Sequence, residues 1–243
     1  LARVEEQRLA DRGADGRFLE RLGRQVGRLG QVAQPRRQVC DARLLGREGG
    51  EIGARFEPTS EFNISASLFT LELDSELIFV GDAGTSEPSD ATERSGVEVS
   101  TFWQAADWLV LDAQAAWSRA RFQDAGPADY VPNSVEFVGG AGATFLWGDG
   151  WESSLRVRHL GEAALIEDNS VRSPTTTLVN LGVSRDFGRF ELGVDVLNLL
   201  DAKDNDITYF YESQLRGEPS PVEDIHFHPV HPRSVKFVLK AEF

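Results

Sequence analysis

The chain has 243 residues, 41% of them hydrophobic, and a formal net charge of −14. No run approaches the ~18 to 20 consecutive apolar residues of a spanning helix, which excludes a helical membrane protein but not a β-barrel, whose strands carry only an alternating apolar signal. The acidic balance argues against nucleic acid as a partner, and the single cysteine, Cys40, excludes an internal disulfide and a thiolate metal cluster.

The charge is unevenly spread. Residues 1–50 hold 11 Arg, no Lys and seven acids, a net +4, whereas residues 51–243 hold 14 basic and 32 acidic residues, a net −18. Such asymmetry points to two origins or two environments. The start, LARVEEQRLADR, has no apolar stretch of the kind a signal peptide carries. For an exported protein this predicts that an N-terminal part is missing.

Within 1–50, Leu19, Leu22, Val26 and Leu29 have helical spacing, and Gly23, Gly27 and Gly30 weaken it. One reading is a basic helical arm for anionic lipid or nucleic acid. The other is an out-of-frame segment, poorly structured and not barrel-like. The abrupt change of composition at Gly49–Glu51 favours the second.

From Glu51 the apolar period becomes two. Val97, Val99, Thr101 and Trp103 alternate with Glu98, Ser100 and Phe102, and Val235, Phe237, Leu239, Ala241 and Phe243 alternate with Ser234, Lys236, Val238, Lys240 and Glu242. Side chains of a strand point to opposite faces in turn, so each run has one apolar and one polar face. The pattern predicts nine strands, at about 51–57, 61–80, 94–104, 108–122, 134–147, 151–161, 176–187, 189–198 and 232–243. The connections near Pro58–Ser60, Ala105–Asp107, Gly148–Gly150 and Gly188 are short; those at 81–93, 123–133, 162–175 and 199–231 are long. This strict alternation fits a transmembrane barrel, with tight turns on one side of the bilayer and long loops on the other. Trp103, Trp108, Trp147 and Trp151 flank short turns, and Tyr130, Tyr209 and Tyr211 lie in or beside long connections, as two aromatic girdles require.

Four segments then carry a resemblance. SGVEVSTFWQAADWLVLDAQAAWSRARF (95–122), YVPNSVEFVGGAGATF (130–145), LGVDVLNLLDAKDND (192–206) and HPRSVKFVLKAEF (231–243) resemble, in order, the closing part of the barrel of TonB-dependent receptors. The expected fold is all-β: an antiparallel transmembrane barrel portion, about nine C-terminal strands of a 22-stranded barrel, over 51–243. The resemblance implies an outer-membrane receptor of a Gram-negative bacterium that imports a scarce ligand of siderophore, cobalamin or glycan type. It implies as partners outer-membrane lipid, the TonB system through an N-terminal plug absent from this chain, and the outer-membrane barrel assembly machinery. That machinery would read the terminal pattern Phe237, Leu239, Ala241, Phe243. An unclosed piece leaves two unpaired edges, which hydrocarbon does not tolerate, so the chain is expected not to insert or transport alone. A small self-contained outer-membrane barrel acting as pore or adhesin, and a soluble β-rich binding module, are the alternatives.

His226, His228 and His231 cluster in DIHFHPVHP, where imidazole near Glu223 and Asp224 suits ligand or metal contact. Strand geometry puts His226 and His228 on one face. The three are expected to be ligand-binding residues of an outer loop; polar residues leading into the last strand are the plainer reading. The acidic stretch 199–206 lacks the spacing and glycine of a calcium loop, so no resident metal is expected. Asp112, Gln114, Arg156, Arg158, Lys236 and Lys240 are expected to face the lumen, and Gly139, Gly140 and Gly142 to allow close packing at the wall. No Ser-His-Asp order, phosphate loop or HExxH motif is present, so neither an enzyme nor a cofactor is expected.

Overall fold

The computed structural model describes residues 38–41, 47–80 and 85–241. The helical spacing at Leu19–Leu29, most of the Arg-rich segment and Phe243 lie outside the described residues. The described residues form fourteen strands: β1 (Gln38–Asp41), β2 (Arg47–Thr59), β3 (Phe62–Leu73), β4 (Leu77–Val80), β5 (Thr85–Pro88), β6 (Thr92–Ala106), β7 (Leu109–Phe122), β8 (Phe137–Gly148), β9 (Trp151–Leu160), β10 (Thr176–Asp186), β11 (Phe190–Leu197), β12 (Asn205–Ser213), β13 (Val222–Pro229) and β14 (Ser234–Ala241). Ten of them form one antiparallel sheet in the order β1-β2-β3-β6-β7-β8-β9-β10-β11-β14. The order follows the chain, as a meander does, and β1 and β14 are its two edges. Among the described residues no helix is long and apolar enough to cross a membrane.

Each of the nine predicted strands corresponds to one strand of this sheet, from β2 to β14, and β1 is a tenth. Three differences have physical causes. The predicted run 61–80 is broken at Asp74–Glu76, so β3 stops at Leu73 and β4 belongs to a separate hairpin with β5. The long connection 199–231 folds back on itself as a second hairpin, β12–β13. β2 begins at Arg47, and Gln38–Asp41 pairs with Gly50–Gly53, so strand structure reaches into the segment predicted to be free of it.

Register sorts the two faces. Phe62, Trp103, Leu111, Ala143, Leu155, Leu181, Val196 and Val235 are successive cross-strand partners over eight strands. One residue further along, the row Gln104, Val110, Thr144, Ser154, Gly182, Asp195 and Lys236 is mostly polar. A slip of one residue in any strand would exchange the faces, so the apolar row fixes the register. Large side chains of the apolar face, among them Leu68, Trp103, Leu155, Phe237 and Leu239, are exposed. A sheet that turns such a continuous apolar surface outward has no counterpart in a water-soluble sandwich, where that face is buried against a second sheet.

The polar face carries ion pairs that span strands. Asp112 on β7 and Arg156 on β9 meet at 2.9 Å across the intervening β8, whose facing residue is Gly142. A Cβ there would lie 2.5 Å from Arg156 Nη1 and 2.6 Å from Asp112 Oδ1. Lys240 pairs with Glu191 at 3.1 Å. The charged residues predicted to share one face therefore do so, and Gly142 is the gap that lets two of them touch.

At the short-turn end, aromatic rings contact one another: Phe62 with Trp103, Trp108 with Phe145, Phe145 with Trp147, and Phe187 with Phe190. The Trp147 indole N–H donates to Ser153 Oγ at 2.8 Å. Arg185 lies with its guanidinium near the Trp151 and Phe187 rings. The predicted tyrosine girdle differs. Tyr130 lies under Arg121, Tyr209 against Phe79 and Tyr211 against His226, so all three pack within the long connections. On the apolar face toward that end stand Trp117 and Phe137 instead.

Candidate functional site

All four long connections lie at one end of the sheet, and they are packed, not loose. Six of the seven buried apolar residues among those described sit in or beside these connections: Ala120, Val131, Ala163, Ala164, Leu165 and Val230. The described residues of 74–91, 123–136, 161–175 and 198–233 together carry 17 acidic and four basic side chains. Most of the negative charge of 51–243 is thus concentrated at this end, where it sets the sign of the field met by an approaching solute.

A cavity of about 330 Å³ opens between these connections. One wall comes from residues 131–135 and 160–174, the other from the β4 hairpin and from β12. On the second wall Glu76 pairs with Arg94 at 2.5 Å, and Ser89 is tied to Glu76 through backbone and side chain. The other carboxylate oxygen of Glu76 is buried with no protein partner. The β4 and β12 hairpins touch through Phe79 and Tyr209, whose ring centres are 4.3 Å apart. Isolated two-stranded hairpins are marginal in water, and β12–β13 is held at its base: Thr176 Oγ1 donates to Asn205 O, Thr177 N–H to Asp204 Oδ2 and Val230 N–H to Asp204 O.

The three histidines predicted as a ligand cluster are divided. His226 and His228 alternate on β13 and share a face with Tyr209 and Tyr211 across the hairpin. The His226 ring stacks on Tyr211 at 3.9 Å, and its Nε2 is buried without a partner. His231 lies past the hairpin, where its carbonyl accepts a hydrogen bond from Asn198. Among the described residues no group of three His, Cys, Asp or Glu side chains is arranged to hold a metal ion.

The stretch Asn198-Leu199-Leu200-Asp201 gains a structural reason. Asn198 is buried at φ +50°; its side chain donates to the carbonyls of Ala202 and His231 and accepts from Ala202 N–H. Asp201 accepts from the backbone N–H of Arg233 and from Lys203. These two residues hold the end of β11 to the start of β14. The Lys203 and Arg233 bonds keep the Asp201 carboxyl below the ordinary aspartate range.

Comparison with known proteins decides the family. The family model described as TonB dependent receptor-like, beta-barrel matches residues 48–199. The chain belongs to the TonB-dependent receptor family. Solved structures of this family share its fold. The ferric yersiniabactin uptake receptor FyuA from Yersinia pestis superposes with a TM-score of 0.63 at 20% identity, over 81% of this chain and 30% of that one. The siderophore receptor PiuA from Acinetobacter baumannii gives 0.60 at 12% identity, over 79% and 28%. The copper transporter OprC gives 0.59 at 15%, over 79% and 31%. This TonB-dependent receptor chain therefore spans under a third of the length of each of the three.

Sequence reasoning singled out the histidines and the residues of the polar face, but not Glu76, Phe79 or Arg121. Their roles depend on which connections meet. The only local signal was a hydrophobic-aromatic run, LIFV, following an acidic break.

Proposed function

We propose that this chain is part of the wall and outer mouth of an outer-membrane importer that takes up a scarce ligand, of siderophore, cobalamin or glycan type, with energy passed through TonB. The observation that carries the reading is the ten-stranded meander with a continuous apolar face, tight turns at one end and the packed cavity at the other. The two sheet edges, β1 and β14, would take further strands of a larger barrel, because hydrocarbon does not tolerate open edges. Outer-membrane lipid would cover the apolar face. A plug inside the barrel would meet the polar face and contact TonB. The exposed pair Phe237 and Leu239 on β14 would be read by the assembly machinery together with Ala241 and Phe243. The protein is a carrier of ligand and not an enzyme. His226 and His228, beside Tyr209 and Tyr211, would contact ligand at the mouth, and His231 would act through the backbone of its turn.

The test is uptake by Gram-negative cells producing the complete gene product, offered labelled ferric siderophores, cobalamin and oligosaccharides with and without TonB. Accumulation of one ligand class that disappears without TonB is expected. Passage of many small solutes irrespective of TonB would instead make the protein a pore.

A further inference from the structure

We propose that Arg121 is the positioning residue that fuses two long connections, 123–136 and 161–175, into one rigid ledge of the mouth cavity. The proposal deepens the ligand-binding reading above, since the ledge supplies one wall of that cavity. Arg121 stands at the end of β7 with only 8% of its side chain exposed. A buried guanidinium must find compensating charge and hydrogen bonds or it destabilises the fold. Here Nη1 donates to the carbonyl of Ala120, Nη2 stands 3.4 Å from Glu136 Oε1, and Nε, which has no hydrogen-bond partner, stands in an ion pair 3.5 Å from Asp129 Oδ1. The plane of the group covers the Tyr130 ring at 3.6 Å from its centre. One planar fork thus engages three residues of the following connection at once, which a lysine ammonium does not do.

The contact continues into the second connection. Glu136 Oε2 faces Arg172 Nη2 at 4.0 Å, and Arg172 Nε donates to Glu162 Oε2 at 3.1 Å. Charges therefore alternate along Arg121, Glu136, Arg172 and Glu162. Backbone bonds run beside this chain: Tyr130 N–H to Glu167 O, Asn133 N–H to Ala164 O, and Ser173 N–H to Ala163 O. The buried apolar group Ala120, Val131, Ala163, Ala164 and Leu165 fills the space between. Val131 to Val135 and Ala163, carried on this ledge, line the cavity. Among the described residues, no hydrogen bond or ion pair ties Arg121 to the two hairpins on the other side of the cavity.

Hydrogen exchange read by mass spectrometry tests the proposal, on the full chain in detergent micelles. The variants are Arg121→Ala, Arg121→Lys and Glu136→Gln. The expected result is at least tenfold faster exchange in segments containing Tyr130, Asn133, Leu165 and Ser173 in both Arg121 variants, with the β12–β13 amides unchanged. Lysine should fail to rescue, which separates a guanidinium clasp from a mere positive charge. If Arg121→Ala does not fold, the Lys and Gln variants carry the test. Unchanged exchange at Leu165 and Ser173, full rescue by lysine, or a uniform rise that includes β12–β13 would each overturn it. The readout needs neither ligand nor transport, so failure of the importer reading would leave it standing.

Discussion

Replacing Gly96 by alanine puts a methyl group where β6 passes between Phe69 of β3 and Trp117 of β7. The new Cβ would lie 2.5 Å from the Trp117 carbonyl oxygen and 2.7 Å from the Phe69 ring. A carbonyl in a paired strand cannot turn away. The cost should be that of overpacking, ~1 to 3 kcal/mol, against a gain of ~0.5 to 1 kcal/mol for replacing glycine in a strand. Gly142→Ala is the matched comparison. Its Cβ would approach just as closely, but its obstacles are Arg156 Nη1 and Asp112 Oδ1, the ends of side chains 45% and 37% exposed. These can swing aside at the loss of an exposed ion pair, ~0.2 to 1 kcal/mol, which the strand gain roughly cancels. Equilibrium urea unfolding of the complete gene product in lipid vesicles should therefore show Gly96→Ala destabilised by about 1 to 2 kcal/mol and Gly142→Ala within about 0.5 kcal/mol of wild type. Equal losses, or a larger loss at Gly142, would refute the argument that the kind of obstacle, and not the distance, sets the cost.

Asn198→Ala should destabilise by ~1 to 3 kcal/mol, because it removes three part-buried hydrogen bonds to the backbone of Ala202 and His231, each worth ~0.5 to 1.5 kcal/mol. Asn198→Gly relieves the positive φ but restores none of these bonds, so urea midpoints of the two variants should both fall, alanine further. Asp201 should titrate below ordinary aspartate in a carboxyl NMR titration. Since its folded value is depressed, its contribution is present above the unfolded pKa of ~3.9 and is lost as pH falls through the lower folded value. Lys203→Ala should move the midpoint up, and an unchanged midpoint would show that the Lys203 bond is not its cause.

The strands were legible because period two is written directly in side chains such as Val97, Val99 and Trp103, and because one buried or lipid-facing row fixes every register. The face of Asp112 and Arg156 followed from the same alternation. Their contact across Gly142 did not, since it needs strand order as well as period. The hairpin β12–β13 carried a usable signal: ITYFY and DIHFH are rich in the β-branched and aromatic residues that strands favour. Proline, glycine and acids around them suggested a loop. At 61–80 the opposite error arose, because the apolar runs on either side of Asp74–Glu76 merge by eye into one long strand. Arg121 was invisible as a clasp. An arginine at the end of an alternating strand is ordinary in sequence, and only the folding back of the following connection onto it, which Glu136 joins to Arg172 of the next, makes it a buried cation.

Spin labelling along β9 tests the membrane-wall account most directly. With native cysteines replaced by serine, single labels at Ser154, Leu155, Val157 and Arg158 of the complete gene product in lipid vesicles would report access to oxygen, which enriches in hydrocarbon, and to a water-soluble nickel chelate. Register puts Leu155 and Val157 on the apolar face and Ser154 and Arg158 on the polar one. The account predicts strict alternation, with oxygen access high and nickel access low at Leu155 and Val157 and the reverse at Ser154 and Arg158. Nickel access equal at all four positions would contradict it.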